Sequence, residues 1–345
     1  MIRAFIIFWS IQVALFSQNN VATTSAAFLE IGAGARSLGM GSAFVAVADN
    51  PSGLYWNPAG ITYATKVEVE SFYSPWLAET QFYNNTAIVP MGRLGTMGLS
   101  FTAVTMDEMM VRTVTEPEPS EYGQRFSAGS IAMGLSYARL LTDRFSFGVQ
   151  AKYIQENIWQ MSASGLSIDI GTLFYTRGNT RIGMSISNFG GKLKMGGINT
   201  LVDIDVDENI YGNNDRIDGD LGTGNWPLPL IFRFGLGKKF DLSKEISCLT
   251  TLDAIHPNNN PEYLNIGLEY SLKNSLFLRI GRSHAFYKLK YLDNEKNHTG
   301  PENGISFGLG LKYNIPLGPM LEIDYVMTDY GVFKNIGGYS ITARF

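Results

Sequence analysis

The pentapeptide Gly304-Ile305-Ser306-Phe307-Gly308 satisfies the G-x-S-x-G pattern that presents a nucleophilic serine for acyl transfer. That chemistry needs the serine on a strand-to-helix turn, with an acid and then a histidine following it in the chain. Neither condition is met: Ser306 sits inside an alternating, strand-like run, and the three histidines, His256, His284 and His298, all precede it. Chance alternation of Gly and Ser on the inner face of a strand accounts for the match better. The run Gly32-Ala33-Gly34-Ala35-Arg36-Ser37-Leu38-Gly39-Met40-Gly41, followed by small residues up to Ala48, invites a phosphate-loop reading. It lacks a Gly-Lys-Ser/Thr ending, a preceding strand and a βαβ unit, so the small residues read instead as a segment packing closely against a wall.

The acidic segment Asp203-Ile204-Asp205-Val206-Asp207-Glu208, continuing to Asp215, Asp218 and Asp220, suggests calcium. An EF-hand loop counted from Asp203 would need Gly at its sixth position and Glu at its twelfth, and these are Glu208 and Asn214. We read the segment as a solvated external loop, although its carboxylates and Asn side chains could form an irregular calcium site. Cys248 is the only cysteine, which excludes a disulfide scaffold and a four-cysteine zinc site, and the histidines have no metal-ligand spacing. No catalytic, cofactor-binding or metal set emerges, and the chain reads as non-enzymatic.

The elements that position these residues follow from composition and period. Of 345 residues 17% are charged and 12% aromatic, 37 are Gly, and the net charge is −4. A soluble chain is nearer a quarter charged, so the surface lacks its usual solvating groups. Past the amino terminus no uncharged run approaches the ~20 apolar residues of a spanning helix, which excludes a polytopic helical membrane protein. The acidic balance argues against nucleic-acid binding. Met1-Ile2-Arg3 and the apolar run from Ala4 to Phe16 have the form of a secretory signal peptide over residues 1–17, cleaved after Ser17, with Ala22 and Ala27 as alternatives.

Beyond about residue 65 the period is two. In 304–314, Ile305, Phe307, Leu309, Leu311 and Tyr313 share one face, while Ser306, Gly308, Gly310, Lys312 and Asn314 share the other. Such runs predict fourteen strands near 66–74, 81–91, 94–104, 128–140, 143–155, 165–176, 180–188, 229–240, 245–254, 262–272, 275–285, 304–314, 318–329 and 337–345. Most have the nine to thirteen residues that a tilted strand needs to cross a bilayer. Very short turns such as Lys273-Asn274 contrast with the long connections 105–127, which carries Glu116-Pro117-Glu118-Pro119, and 189–228. A soluble sandwich also alternates, but it would put its charge outside and its bulk inside. Here one face is uniformly large and apolar and the other small and weakly polar. The expected fold is therefore all-β: a transmembrane antiparallel β-barrel of about fourteen strands. Trp76, Trp159, Trp226 and the tyrosines fall near strand ends, where an aromatic girdle sits. Gly-rich inner faces would permit a cavity.

The last strand places Tyr339, Ile341, Ala343 and Phe345 on one face and ends on an aromatic residue. This resembles the signal that outer-membrane barrels present to the barrel-assembly machinery. Leu54-Tyr55-Trp56-Asn57-Pro58-Ala59-Gly60 resembles the amino-terminal signature of the PorV/PorQ family of outer-membrane proteins, associated with type IX secretion. The chain is more distantly similar to FadL-type transporters of hydrophobic compounds, which share an Asn-Pro-Ala motif and fourteen strands. The resemblance runs on through Tyr137-Ala138-Arg139, a Ser187-Asn188-Phe189-Gly190 turn, Asp324-Tyr325 and Phe345. It implies a hatch over 28–62 inside the lumen, within a plug region 18–62, and a barrel over 63–345. Gly32, Gly34, Arg36, Gly39, Gly41, Asn57, Pro58, Ala59 and Gly60 are then hatch residues. Asn57-Pro58 fits a sharp bend, because Pro fixes its own φ and disfavours helix before it. The implied partners are outer-membrane lipid, type IX secretion components and cargo, and the implied place is the outer membrane. The alternative is a FadL-like channel for hydrophobic small molecules, which needs an apolar pocket against the hatch and a lateral gap in the wall.

Overall fold

The computed structural model describes residues 23–205, 217–285, 304–316 and 318–345. The expected signal peptide, Asp207, Glu208 and Asp215 of the acidic segment, and His298 lie outside the described residues.

Fourteen long strands carry the fold: β1 (Glu68–Pro75), β2 (Gln81–Pro90), β3 (Thr96–Thr105), β4 (Ala128–Thr142), β5 (Phe145–Ile158), β6 (Met161–Tyr175) and β7 (Thr180–Gly190), then β8 (Ile231–Asp241), β9 (Ile246–Pro257), β10 (Tyr263–Leu272), β11 (Leu276–Ala285), β12 (Ile305–Asn314), β13 (Met320–Asp329) and β14 (Asn335–Arg344). Each pairs antiparallel with its neighbour in sequence, and β1 pairs with β14, so the sheet closes on itself. All fourteen expected strands are present. Closure removes the unpaired edges that a bilayer would not tolerate.

Period two is the physical origin of the wall. Outward positions hold residues such as Leu166 and Ile341, 70% and 55% exposed, whereas inward positions hold Glu70, Ser136, Gln150, Asp169, Ser306 and Thr342, all buried. Large apolar groups facing out and polar groups facing in is the reverse of a soluble sandwich, and it suits a wall solvated by lipid. The connections at one end are short: 91–95, 143–144, 176–179, 242–245, 273–275 and 315–319. Lys273 and Asn274 both adopt positive φ, 52° and 51°, which gives a hairpin turn whose twist matches that of the strands. The strand ends joined by longer connections, Thr105 and Ala128, Gly190 and Ile231, and Ala285 and Ile305, lie at the other end.

Two sequence expectations need correcting. Ser187-Asn188-Phe189-Gly190 is not a turn; it belongs to β7, where the ladder to β6 skips register between Ile168 and Ile170. Asn188 (φ 63°) donates its N–H to Asp169 Oδ1 at 2.7 Å, so a bulge replaces a chain reversal. Trp76 is not part of a girdle. It continues the inward side of Phe72 and Ser74 and packs edge-on against Tyr330, with ring centroids 5.1 Å apart. The outward aromatic row is instead Tyr83, Tyr73, Tyr339 and Tyr325, side by side on β2, β1, β14 and β13.

Residues 26–64 run through the interior. At the long-connection end Ser25 N donates to Pro227 O at 3.0 Å, and Asn259 Nδ2 donates to Glu30 Oε2 at 3.0 Å. At the short-turn end Tyr63 packs on Tyr175, 4.6 Å between centroids. Between these ends lie only short helical pieces, Ala27–Glu30, Ala35–Gly39, Gly53–Trp56 and Pro58–Tyr63. Helices this short leave most of their N–H groups without an intrahelical partner, and those groups must be satisfied from elsewhere.

Candidate functional site

The wall satisfies several of them. Ala35 N donates to Ser340 Oγ at 2.9 Å, Gly41 N to Ser306 Oγ at 3.1 Å, Val45 N to Asp253 Oδ2 at 2.9 Å and Ser52 N to Glu70 Oε2 at 3.0 Å. The acceptors stand on β14, β12, β9 and β1, so the interior segment is held from around the ring. Ser306 of the G-x-S-x-G match is one of these anchors. It is buried near the start of β12, its hydroxyl accepting from Gly41. Gly308 of the same motif lets Gly39 approach: a Cβ on either glycine would lie 3.1–3.2 Å from the other's Cα. The Gly–Ser alternation thus has a structural reason.

The candidate residues 32–60 gather into one buried body. Gly41 has φ +62°, and a Cβ there would sit 2.4 Å from Arg282 N on β11. At Gly60 a Cβ would lie 1.8 Å from Ala48 O, inside any allowed contact, so only glycine closes that approach. Gly32, Gly34 and Gly39 belong to the same body, the first two at positive φ. Asn57 is fully buried in extended backbone ahead of Pro58. Its Nδ2 donates to Val45 O at 2.9 Å and to Thr172 O of β6 at 3.0 Å, and its Oδ1 accepts from Ala59 N at 3.1 Å. One side chain therefore caps the Pro58–Tyr63 turn and ties two stretches of the segment to the wall. Inner glycines of the wall do not leave a void: Gly148, Gly171, Gly183 and Gly281 face the backbone or side chains of Pro58, Asn57, Val45 and Gly41 within 2.0–2.5 Å of a built Cβ.

Arg36 is the electrostatic centre. Its Nη1 pairs with Asp49 at 2.6 Å, and its Nε and Nη2 form a fork on Glu269 of β10 at 2.8 and 3.0 Å. Asp49 also takes Arg181 of β7 at 2.8 Å. Glu269 faces Arg279 of β11 in register and pairs with it at 2.7 Å; Arg279 also pairs with Asp324 of β13. Arg344 joins Glu68 at 2.8 Å and Glu322 at 3.0 Å. Burial opposes the charge on Asp49, but Arg36 and Arg181 override it and hold its carboxyl well below the ordinary range. The sequence reading found Arg36 and missed its partners. Their signal was present: Glu269, Arg279, Glu322, Asp324 and Arg344 are charges at inward positions of strands, where an unpaired charge would be untenable.

Two cavities flank the segment. The one toward the short-turn end, about 520 Å³, is polar and contains Arg36, Asp49, Arg181 and Glu322. The one toward the long-connection end, about 500 Å³, is mostly apolar and aromatic, bordered by Ile31, Tyr55, Trp56, Trp76, Val104 and Tyr330. The charges of the second include Glu30, whose pKa is raised by burial, partly offset by the hydrogen bond from Asn259 and by Arg233.

In the last strand Tyr339 and Ile341 face outward, and Phe345, 62% exposed, donates its N–H to Val67 O at 2.9 Å. Asp203 and Asp218 face each other, exposed, in the pairing of Leu201–Ile204 with Ile217–Asp220.

A family model described as "Type IX secretion system protein PorV" matches residues 15–207, more than half of the 345. The chain belongs to the PorV family. Among curated proteins none matches it in sequence. In fold, this PorV-family chain is similar to a FadL homologue of Pseudomonas aeruginosa (TM-score 0.50, 9% identity, covering 95% of this chain and 99% of that one). It is similar also to the toluene transporter TbuX of Ralstonia pickettii (0.52, 12%, 91% and 98%) and to the toluene transporter TodX of Pseudomonas putida (0.51, 12%, 91% and 96%). Family and fold together make it an outer-membrane β-barrel of the type IX secretion class.

Proposed function

We propose that the protein receives type IX cargo at the outer membrane and passes it to partner secretion proteins, as a non-enzymatic barrel whose interior segment acts as a hatch. The observation that carries this reading is the filled lumen. From Met40 to Ala48 the segment is almost wholly buried, and its backbone seats against the wall glycines, so a polypeptide has no room to pass. Work on a polypeptide then falls to the external connections 106–127 and 191–230, with Gly32, Gly34, Arg36, Gly39, Gly41, Asn57, Pro58, Ala59 and Gly60 keeping the hatch shut. In this reading residues 1–17 are removed on export, 18–62 form the plug and 63–345 the barrel, and Tyr339, Ile341, Ala343 and Phe345 address the chain to the barrel-assembly machinery. Affinity purification of the tagged barrel from solubilised outer membranes tests the proposal. A type IX cargo protein should co-purify and should be lost when 106–127 is shortened; recovery of cargo without that loop would contradict the assignment of loops.

A second reading, a FadL-like channel for hydrophobic small molecules, is favoured by the apolar cavity of about 500 Å³ against the hatch. Its other requirement, a lateral gap, finds little support: among the described residues the strand ladder is interrupted only by register shifts at Leu140/Thr142, Ile168/Ile170 and Leu264/Ile266.

A further inference from the structure

We propose that the cavity at the short-turn end is a binding site for a small hydrophilic polyanion, a molecule carrying two or more phosphate or carboxylate groups. The inference is independent of the secretion reading and can fail without it. Short turns face the periplasm in outer-membrane barrels, so the ligand enters from that side. At about 520 Å³ the cavity lies within the range of ligand sites. Arg36 and Asp49 of the interior segment border it together with every strand from β6 to β14, and Ser247, Ser271 and Asn274 add neutral hydrogen-bonding groups.

The charges on this lining favour an anion. Five cations, Arg36, Arg181, Lys239, Lys312 and Arg344, border it with three anions, Asp49, Glu269 and Glu322. Lys239 follows Gly235 and Gly237 on the inner face of β8, and Lys312 follows Ser306, Gly308 and Gly310 on that of β12. Each anion is already held by two guanidinium groups: Asp49 by Arg36 and Arg181, Glu269 by Arg36 and Arg279, and Glu322 by Arg344 at 3.0 Å and Arg279 at 3.7 Å. The further partners of these arginines, Glu68 and Asp324, are buried. Glu269 and Glu322 are nearly hidden themselves, with side chains 7% and 8% exposed. The lysines differ. Lys312 faces Glu322 in the β12–β13 register, yet that carboxylate is turned to the two arginines, and among the described residues Lys312 has no ion pair. Lys239 has one loose contact, Asp241 Oδ1 at 3.7 Å, between side chains 43% and 66% exposed, and a pair so wet contributes little. What the cavity presents to a ligand is thus two ammonium groups, on strands four apart. An ammonium is a compact point charge suited to phosphate or carboxylate oxygens, and meeting both takes a ligand with more than one anionic group.

The test uses the full barrel in nanodiscs of zwitterionic phosphatidylcholine at low salt, with empty nanodiscs as the blank. Calorimetry follows three probes: fructose 1,6-bisphosphate, citrate and uncharged fructose. The polyanions should bind and fructose should not. Lys312→Gln and Lys239→Gln should each weaken polyanion binding about tenfold, the loss of one charge-assisted hydrogen bond, and together should abolish it. Lys244→Gln, in the exposed turn 242–245 at the same end, should change nothing. Binding should also raise the urea midpoint of the barrel, because the site joins segment to wall in the folded state alone. Heat-modifiable gel mobility shows that the variants are folded. Binding of the bisphosphate alone would assign phosphate esters, and of citrate alone carboxylates. Failure of both polyanions to bind, equal binding of fructose, affinity untouched in the double lysine variant, or an equal loss from Lys244→Gln would each overturn the proposal.

Discussion

Replacing Arg36 by Met removes the one cation of the interior segment that reaches the wall, and the effect can be sized from its partners. Three charge-assisted bonds disappear, at 2.6, 2.8 and 3.0 Å. Breaking a buried pair destabilises by about 3–5 kcal/mol when the surviving charge is stranded. Here neither anion is stranded, because Asp49 keeps Arg181 at 2.8 Å and Glu269 keeps Arg279 at 2.7 Å. The loss should therefore sit at the lower end, about 3 kcal/mol, and Met roughly preserves the packed volume. Glu269→Gln should cost a similar amount, since it weakens both Arg36 and Arg279. The two changes share one interaction, so the double variant should cost about 4 kcal/mol rather than about 6, a coupling of about 2 kcal/mol. Urea unfolding in phospholipid vesicles, followed through the buried Trp56, measures all three variants. Because the pairs are buried, the coupling should change little between 0.1 and 0.5 M salt. Additivity within about 0.5 kcal/mol would refute the claim that Arg36 latches the segment to β10.

Gly60→Ala should destabilise the barrel by more than about 3 kcal/mol, since its Cβ would meet Ala48 O at 1.8 Å, and the folded fraction by gel mobility checks it. Asp49 gives a pH signature: its carboxyl is held below the unfolded value of 3.8, so its contribution is fully present above that value and is lost as pH falls. Urea midpoints should accordingly decline below about pH 3.8, and Asp49→Asn should flatten part of that decline. Phe345→Ala should leave urea stability within about 0.5 kcal/mol, because Phe345 is exposed, yet lower the yield of folded barrel in the membrane, measured by pulse-labelling.

The wall was legible because its physics is local. Alternation such as Ile305 to Tyr313 against Ser306 to Asn314 states both the strand and its two faces, and the boundaries moved by only a few residues. The interior segment was legible as a different kind of sequence, with Gly32 to Gly41 and Asn57-Pro58 marking sharp bends, but its seat was not. Whether Ser306 meets Gly41 depends on which strand lies opposite which turn, and no spacing within 304–308 encodes that. The same holds for the ion network: Glu269 and Arg279 can be paired by hairpin counting, whereas Arg36 with Glu269 spans 233 positions. The 187–190 stretch was misread because a Ser-Asn-Phe-Gly pause looks the same in sequence whether the chain reverses or bulges. Trp76 was misplaced because aromatic residues near strand ends face either way, and only strand parity decides.

The secretion role stands most directly on cargo export. Deleting the gene and quantifying type IX cargo in the culture medium, at the cell surface and in the periplasm should show cargo retained in the periplasm, with export restored by the intact gene. Unchanged cargo at the surface and in the medium of the deletion strain would contradict it.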